Sequence, residues 1–283
     1  MNPAEDSAAT APAVRRRARA ARERAARAQA NALAHERLGA GAGDDFHGRM
    51  AALHRQVAAC HLAAAQLHDA FARRLEPPGK GVSRPHFMAG VAEACGTGSA
   101  ALTLLGPDRA QLAVAASDET ARSAQDLEFV LGEGPARDAA LGQQVRAAGA
   151  VLAERWPRYG AAVEELGLHS VVAVPLSAQD GCIGALTVFD PSPGLLLGLG
   201  STGLSRIADA LVKDVLMGPD ADPGLYGDTD FRPEVHQAAG MLAERTGCDV
   251  GDALALMRAR AFRDGTTIES VAVRIHAGEL ELG

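Results

Sequence analysis

The C-terminal stretch from Phe231 to Glu279 constrains the fold most, because its apolar residues repeat with the period of an α-helix in three successive segments. In the first segment, the apolar positions are Val235, Ala238, Ala239, Leu242 and Ala243. In the second, they are Ala253, Leu254, Met257, Ala261 and Phe262, and in the third they are Ile268, Val271, Ala272 and Ile275. Three amphipathic helices with short connections can bury one small core, so the sequence predicts a three-helix bundle over 230–283.

This stretch resembles the ANTAR domain. The resemblance lies in VxQAxGML from Val235, ER-x-GC from Glu244, and A-x3-MR-x2-A from Ala253, followed by a third helix that contains VA. It implies a helical module that binds stem-loop RNA and prevents transcription termination. At Ala239 the chain departs from the family, which usually has Lys there.

The basic residues of this module are the candidates for RNA contact. Acidic residues outnumber basic ones by nine to six over 230–283, so bulk charge does not indicate a nucleic-acid binder. The arrangement is more informative, since arginines cluster in the second helix and Arg suits stacking on unpaired bases and pairing with phosphate. The predicted RNA-binding residues are Gln237, Gly240, Arg245, Arg258, Arg260 and Arg263. Two alternatives stay open: a signalling adaptor that binds a protein partner through this module, and a DNA-binding helix-turn-helix.

A second helical pattern runs through residues 46–76. Apolar residues alternate spacings of four and three, which is the heptad repeat of a coiled coil. They are Phe46, Met50, Leu53, Val57, Cys60, Ala64, Leu67 and Phe71. The pattern predicts a dimerising helix, with a homodimer formed through residues 46–75. The alternative is one long amphipathic helix that packs on the chain's own next domain.

The same helix carries four histidines, each seven residues after the last: His47, His54, His61 and His68. Seven residues along a helix span about 10.5 Å, so one chain cannot chelate a metal with two of them. Paired imidazoles across a dimer seam would respond to pH or to a metal, whereas the simpler interpretation is a row of polar side chains beside the seam.

Residues 1–45 have a strongly biased composition. Between positions 13 and 38 there are eight arginines and only two glutamates, in a chain whose formal net charge is −7. We interpret this segment as an Arg/Ala-rich tail, either a frayed helix or disordered, and a non-specific phosphate contact is the functional alternative.

Residues 84–217 alternate helix and strand patterns, and they resemble a GAF domain. The matching pieces are AVAASDE from Ala113, FVLGEGP from Phe129, a lone Trp-Pro at Trp156, and SVVAVPL from Ser170 with its following strand. The resemblance implies an antiparallel sheet with helices on one face and a pocket on the other, in a domain that senses small molecules or supports dimers. The predicted fold class is therefore α+β: an N-terminal helix forming a coiled coil, a GAF-like sheet with helices, and the C-terminal bundle.

Few residues of the middle region suit ligand chemistry. Pockets favour aromatic side chains with a few polar groups, which makes Glu133, Trp156, Tyr159 and His169 the candidates for binding an unknown small molecule. Core or loop packing is the alternative for each. No nucleophile, metal-binding or phosphate-cradling motif is present, so we predict no catalytic residue, no metal and no cofactor.

The remaining features concern location. The four cysteines lack CxxC spacing and fit reduced thiols, and no apolar run approaches the roughly 20 residues of a membrane span. We expect a cytoplasmic protein with no membrane segment and no N-terminal signal sequence. A polar linker is predicted over 218–229, which is rich in Gly, Pro and Asp.

Overall fold

The computed structural model describes residues 10–40, 45–75, 87–106, 111–179, 181–198, 201–217 and 232–280. The predicted linker 218–229 and the N-terminal residues 1–9 lie outside these ranges. Three parts follow one another along the chain: a helical hairpin, an α/β unit built on one sheet, and a helical bundle. The predicted α+β fold class, with N-terminal helix, central antiparallel sheet and C-terminal helices, is confirmed.

The hairpin consists of helix α1 (Ala11–Gly39) and helix α2 (Asp45–Arg74), which pack along their length. Small residues on α1 recur every three or four positions and are buried: Ala11, Val14, Ala18, Ala21, Ala25, Ala28 and Ala32. Ion pairs Arg22–Asp69 and Glu36–Arg55 join the two helices across the hairpin. Residues 11–39, which were interpreted as part of an Arg/Ala-rich tail, form a helix whose alanines make a continuous stripe that α2 covers.

The heptad seam of α2 is divided between two environments. Cys60, Ala64, Leu67 and Phe71 are buried in the core that α2 shares with the sheet. Phe46, Leu53 and Val57, in contrast, are among the exposed large apolar residues. The C-terminal half thus follows the alternative of packing on the next domain, and only the N-terminal half remains available to a second chain.

The central sheet has five strands in the order β2-β1-β5-β4-β3, and all neighbouring strands are antiparallel. Its strands are β1 (Ser99–Leu105), β2 (Gln111–Ala116), β3 (Val145–Ala148), β4 (Ser170–Ala178) and β5 (Gly181–Phe189). Its helices are α3 (Phe87–Ala94), α4 (Glu119–Leu131), α5 (Pro135–Ala139), α6 (Ala150–Arg155), α7 (Pro157–Glu165), α8 (Pro193–Leu196) and α9 (Ser201–Ala210), and a π-helical segment (Leu211–Leu216) follows α9.

Helices cover both faces of this sheet. On one face, Leu102, Leu186 and Val188 belong to the core that contains α2, α3 and α9. On the other face, alternate positions such as Ala101 and Ala185 belong to a second core with α4, α5, α6 and α7. The expectation of helices on one face only is therefore corrected, since side chains from α4 to α7 cover the face on which a pocket was expected.

The C-terminal bundle consists of α10 (Pro233–Thr246), α11 (Val250–Asp264) and α12 (Ile268–His276). Three of the helix boundaries have a local cause. Asp249 accepts a hydrogen bond from the Asp252 backbone N–H, and Thr267 accepts one from the Ser270 backbone N–H, so both act as N-caps. Gly247 ends α10 with a left-handed conformation. The predicted apolar positions of all three segments form one core, except Phe262, which is exposed.

The bundle is docked on the central unit. Helix α4 packs against α11, and Phe129 of α4 belongs to the core cluster of the bundle, with Val130 packed beside it. Phe129 is 1% exposed. The contact places α4 between the sheet and the bundle, so one helix touches both.

Candidate RNA-binding surface and ligand site

The basic cluster predicted on α11 does not form one surface. Arg258 is half-buried, and its guanidinium carbon lies 4.8 Å from the centre of the Phe129 ring. A guanidinium over an aromatic face at this distance is a favourable cation–π contact. Arg258 is therefore engaged with the neighbouring domain, on the side of the bundle that faces α4.

Arg260 and Arg263 converge instead on one carboxylate. The Nε atoms of Arg260 and Arg263 lie 2.5 and 3.3 Å from Asp264, and Arg274 of α12 lies 3.3 Å from the same group. The hydrogen bond from Arg260, followed by those from the other two arginines, holds the pKa of Asp264 below its usual range. Asp264 remains ionised and offsets part of the positive charge. Arg263 still leaves 66% of its side chain exposed, so it is the most accessible of the three.

The predicted residues of α10 lie on its outer part. Gln237 and Arg245 are exposed, and Gly240 is half-buried. A Cβ atom added at Gly240 would meet no atom within 4 Å, so no other part of the described chain approaches it closely. Ala239, where the ANTAR family usually has Lys, is fully buried in the core of the bundle.

Sequence reasoning missed Arg232, the residue just before α10. Its side chain is 1% exposed, and it forms ion pairs with Asp126 of α4 and Glu269 of α12. Its guanidinium carbon also lies 4.3 Å from the centre of the Phe129 ring. Two arginines, Arg232 and Arg258, therefore contact the same aromatic ring of the central unit. No local pattern identifies Arg232, because its partner Asp126 lies 106 residues away in the chain.

The four residues predicted to bind a ligand differ in burial and in their hydrogen-bond partners. Glu133 accepts hydrogen bonds from the backbone N–H groups of Arg158 (2.7 Å) and Tyr159 (3.0 Å), which fixes the first turn of α7. Trp156 and Tyr159 are buried in the second core with their ring centres 6.0 Å apart. His169 is exposed, and its backbone N–H donates to Asp190.

A group of buried polar side chains lies in that core, and the sequence analysis did not single it out. Glu128 is 2% exposed and accepts hydrogen bonds from the backbone N–H groups of Ala136 and Arg137, at the start of α5. Burial raises the pKa of Glu128 to about 7, although these two hydrogen bonds act in the opposite direction. Burial, with a smaller contribution from Glu128, also raises the pKa of Tyr159.

The same core holds polar atoms with no hydrogen-bond partner among the described residues, the Tyr159 hydroxyl and the Gln125 amide nitrogen. The amide oxygen of Gln125 accepts a hydrogen bond from the Thr103 hydroxyl at 2.5 Å. Buried polar atoms without partners are costly, so this cluster is where a polar ligand or water would find donors and acceptors already in place.

The histidine row lies partly along the contact between α1 and α2. His68 is buried, while His47, His54 and His61 are half-buried. His35 of α1 places its Nδ1 atom 3.0 Å from that of His47 and stacks on the His54 ring. Within the described ranges, no group of three or more His, Cys, Asp or Glu side chains is arranged to hold a metal ion. No helix there is long and apolar enough to span a membrane.

Two families match separate parts of the chain. The GAF domain family matches residues 86–201, which contain the sheet, and the ANTAR domain family matches residues 228–275, which contain the bundle. The hairpin of α1 and α2 lies outside both matches. Comparison with curated proteins gave no match.

Proposed function

We propose that this protein, in which a GAF domain is followed by an ANTAR domain, is a signal-responsive regulator that binds stem-loop RNA and antiterminates transcription in the cytoplasm. The match over residues 228–275 carries the proposal, because ANTAR domains are RNA-binding antiterminator modules and GAF domains are sensors. Both are regulatory domains without catalytic chemistry, so we also propose that the protein is not an enzyme.

The RNA-contacting surface in this proposal is the outer side of α10 together with the end of α11. Gln237 and Arg245 are exposed there, and the open space at Gly240 allows close approach of a partner backbone. Arg263 adds an exposed guanidinium. Loop bases are accessible where duplex bases are not, so these side chains suit a hairpin loop and its phosphates. Arg258 and Arg260 join this surface only when they leave Phe129 and Asp264.

The buried polar cluster around Glu128 and Tyr159 supports a sensing role for the GAF domain. A small polar molecule that entered this core would find the Tyr159 hydroxyl and the Gln125 amide available for hydrogen bonding. Among the four ligand-binding candidates from the sequence, Tyr159 has such a group, and Trp156 packs beside it. Glu133 and His169 support the fold around the site in this proposal.

The protein acts as a homodimer in this proposal, through a coiled coil at the N-terminal half of the α2 seam. Two ANTAR domains in one assembly would bind paired hairpins, because the second contact then forms at a high effective concentration.

The test uses full-length protein and the hairpin RNAs that crosslink to it in its own cells. The double variant Arg245→Ala/Arg263→Ala is expected to weaken hairpin binding and to reduce the slope of log K against log salt by roughly one unit per lost phosphate contact. Arg206→Ala, an exposed arginine of α9, serves as the matched control and is expected to bind as the unmodified protein does. A gel-shift titration at several salt concentrations measures both quantities.

The proposal fails if the full-length protein shows no preference for hairpin RNA over an unstructured RNA of equal length. The adaptor hypothesis then takes its place. The exposed apolar side chains of Phe262 and Val273 favour that second candidate, since they suit contact with a protein partner.

A further inference from the structure

A cavity of about 660 Å³ lies where the GAF domain meets the ANTAR domain. Helices α4 and α7 form one wall, and the end of α11 with the start of α12 forms the other. Its apolar lining comes from both sides of the contact and includes Leu127, Val130, Leu131, Leu166, Phe262 and Ile268. This volume is within the range of small-molecule sites, which are typically about 300–1,000 Å³ and mostly apolar.

The charges around this interdomain cavity are unequal. Its lining contains three carboxylates, those of Asp126, Glu165 and Glu269, and two arginines, Arg158 and Arg232. The buried Arg232 is already paired with Asp126 and Glu269. The guanidinium of Arg158, which also lines the cavity, lies 4.0 Å from the carboxylate of Glu133.

Both lining arginines are thus paired with carboxylates other than that of Glu165. Glu165 is exposed and lines the cavity, and it takes part in none of the ion pairs that the described residues form. Phe262 of α11 lines the same cavity, and its side chain is 64% exposed. An aromatic ring and an unpaired carboxylate at one opening are complementary to a positively charged group, since each attracts a cation.

We propose that this interdomain cavity binds a small organic cation with an apolar body, an aryl- or alkylammonium compound. The apolar body packs between Leu127, Val130 and Ile268, and the ammonium group faces Glu165. The site is separate from the buried cluster around Tyr159, which lies in the core between α4–α7 and the sheet.

Binding at this place affects the contact between the domains. Because residues of both domains line the cavity, a ligand that touches both walls binds the docked arrangement and not the separated one. By linkage, it stabilises docking in proportion to this difference in affinity. Docking holds Arg258 against Phe129, so the ligand is expected to weaken RNA binding; this last step rests on the proposed function, whereas the site itself does not.

The direct test measures binding of three probes with one skeleton to the full-length protein by isothermal titration calorimetry. The probes are 4-phenylbutylamine, 4-phenylbutan-1-ol and 4-phenylbutyrate, which differ in charge only at one end. The amine is expected to bind about fivefold more tightly than the alcohol, as an added ion pair of about 1 kcal/mol implies, and the carboxylate more weakly than both. Absence of amine binding, or equal affinity for the three probes, overturns the proposal.

Substitutions then locate the site. Glu165→Gln is expected to reduce amine affinity about fivefold while leaving alcohol affinity unchanged. Glu164→Gln is the matched control, because Glu164 is an exposed neighbour on α7 that does not line the cavity. Ala161→Trp places a large side chain at an exposed position of the lining and is expected to block all three probes. If neither Glu165→Gln nor Ala161→Trp changes the amine affinity, the amine does not bind in this cavity and the proposal is overturned.

The coupling to RNA is a separate measurement. Amine at the concentration that half-saturates the unmodified protein is expected to weaken hairpin binding by that protein and to have less effect on the Glu165→Gln variant. If the amine binds with the expected dependence on Glu165 and the protein binds no RNA, the proposed function fails and the cavity assignment stands. If RNA binds normally and the amine does not bind, the cavity assignment fails alone. RNA affinity that is unchanged by bound amine overturns the coupling.

Discussion

At the residue scale, the burial of Glu128 makes the stability of the folded protein depend on pH. Its pKa is about 7 in the folded protein against an ordinary value of 4.5, so between these pH values the folded state keeps a proton that the unfolded state has lost. Stability from this group is therefore present at low pH and is lost as pH rises through 7. The full difference between the two pKa values corresponds to about 3 kcal/mol in the free energy of unfolding.

Glu128→Gln is expected to remove this dependence, because the amide stays neutral. Urea unfolding at pH 5, 6, 7 and 8 measures it, as the change in unfolding free energy of the variant relative to the unmodified protein. The unfolding free energy of the variant, relative to that of the unmodified protein, is expected to increase as pH rises. The same pH profile for both proteins would contradict the assignment. Gly134 should be left in place, since a Cβ there would lie 2.6 Å from the Glu128 side chain.

The contacts of individual side chains were harder to predict than the motifs that contain them. The motif containing Glu133 and Gly134 was recognised in the sequence, but Glu133 interacts with the first turn of α7, and the unusual buried acid is Glu128. A carboxylate in an amphipathic helix pattern carries no local sign of burial. Arg232 and Phe129 were missed for a related reason, because their contact joins segments about 100 residues apart and only the packed structure brings them together.

At the element scale, the strands with alternating or continuous apolar residues were predicted well, and the alanine-rich elements were not. Strands β1 and β2 lie at Ser99–Leu105 and Gln111–Ala116, within the region where helix and strand patterns alternate. Strand β3, with the sequence VRAA, is too short and too small in its side chains to give a pattern. For residues 11–39 the sequence left a frayed helix and disorder as alternatives, because the buried face of α1 is almost entirely Ala, which is weakly apolar.

The alanine stripe of α1 leads to a prediction about close packing. Ala25 is buried against α2, so Ala25→Leu is expected to lower the free energy of unfolding by about 1–3 kcal/mol through overpacking. Ala26→Leu, on the exposed side of the same turn, is the matched control and is expected to change stability by less than about 0.5 kcal/mol. Thermal or urea unfolding of the full chain measures both. Equal effects at the two positions would mean that α2 does not cover this stripe.

Helix α4 connects the GAF domain with the ANTAR domain, and the charge of its Asp126 gives a second test at the element scale. Asp126→Arg places a cation beside the buried Arg232 and is expected to weaken the contact between α4 and the bundle by about 2 kcal/mol or more. Hydrogen exchange in α4 and α11 is then expected to accelerate. Glu119→Arg makes the same charge change at the exposed start of α4 and is expected to leave exchange unaltered. Unchanged exchange in Asp126→Arg would show that the ion pair does not hold the domains together.

At the scale of the whole molecule, the hairpin of α1 and α2 is a third part beside the GAF domain and the ANTAR domain. The C-terminal half of α2 packs in one core with the sheet of the GAF domain. On the opposite face of the sheet, α4 contacts the bundle. The GAF domain is thus in contact with both the proposed dimerisation element and the proposed RNA-binding element, through different faces.

The dimer hypothesis is now confined to the N-terminal half of the α2 seam, and this allows a sharper test. Leu53 is 50% exposed and Val57 is 38% exposed, on a helix whose other face already packs in the chain. An apolar stripe at heptad spacing is stabilised by burial against a second copy, and charged residues there oppose that burial. Leu53→Asp/Val57→Asp is therefore expected to halve the mass measured by light scattering, without loss of folding as judged by circular dichroism. Leu112→Asp/Leu141→Asp, two exposed leucines of the GAF domain, is the control and is expected to remain dimeric. A monomeric unmodified protein would contradict the dimer hypothesis. A dimer that survives the α2 substitutions would place the interface elsewhere in the chain.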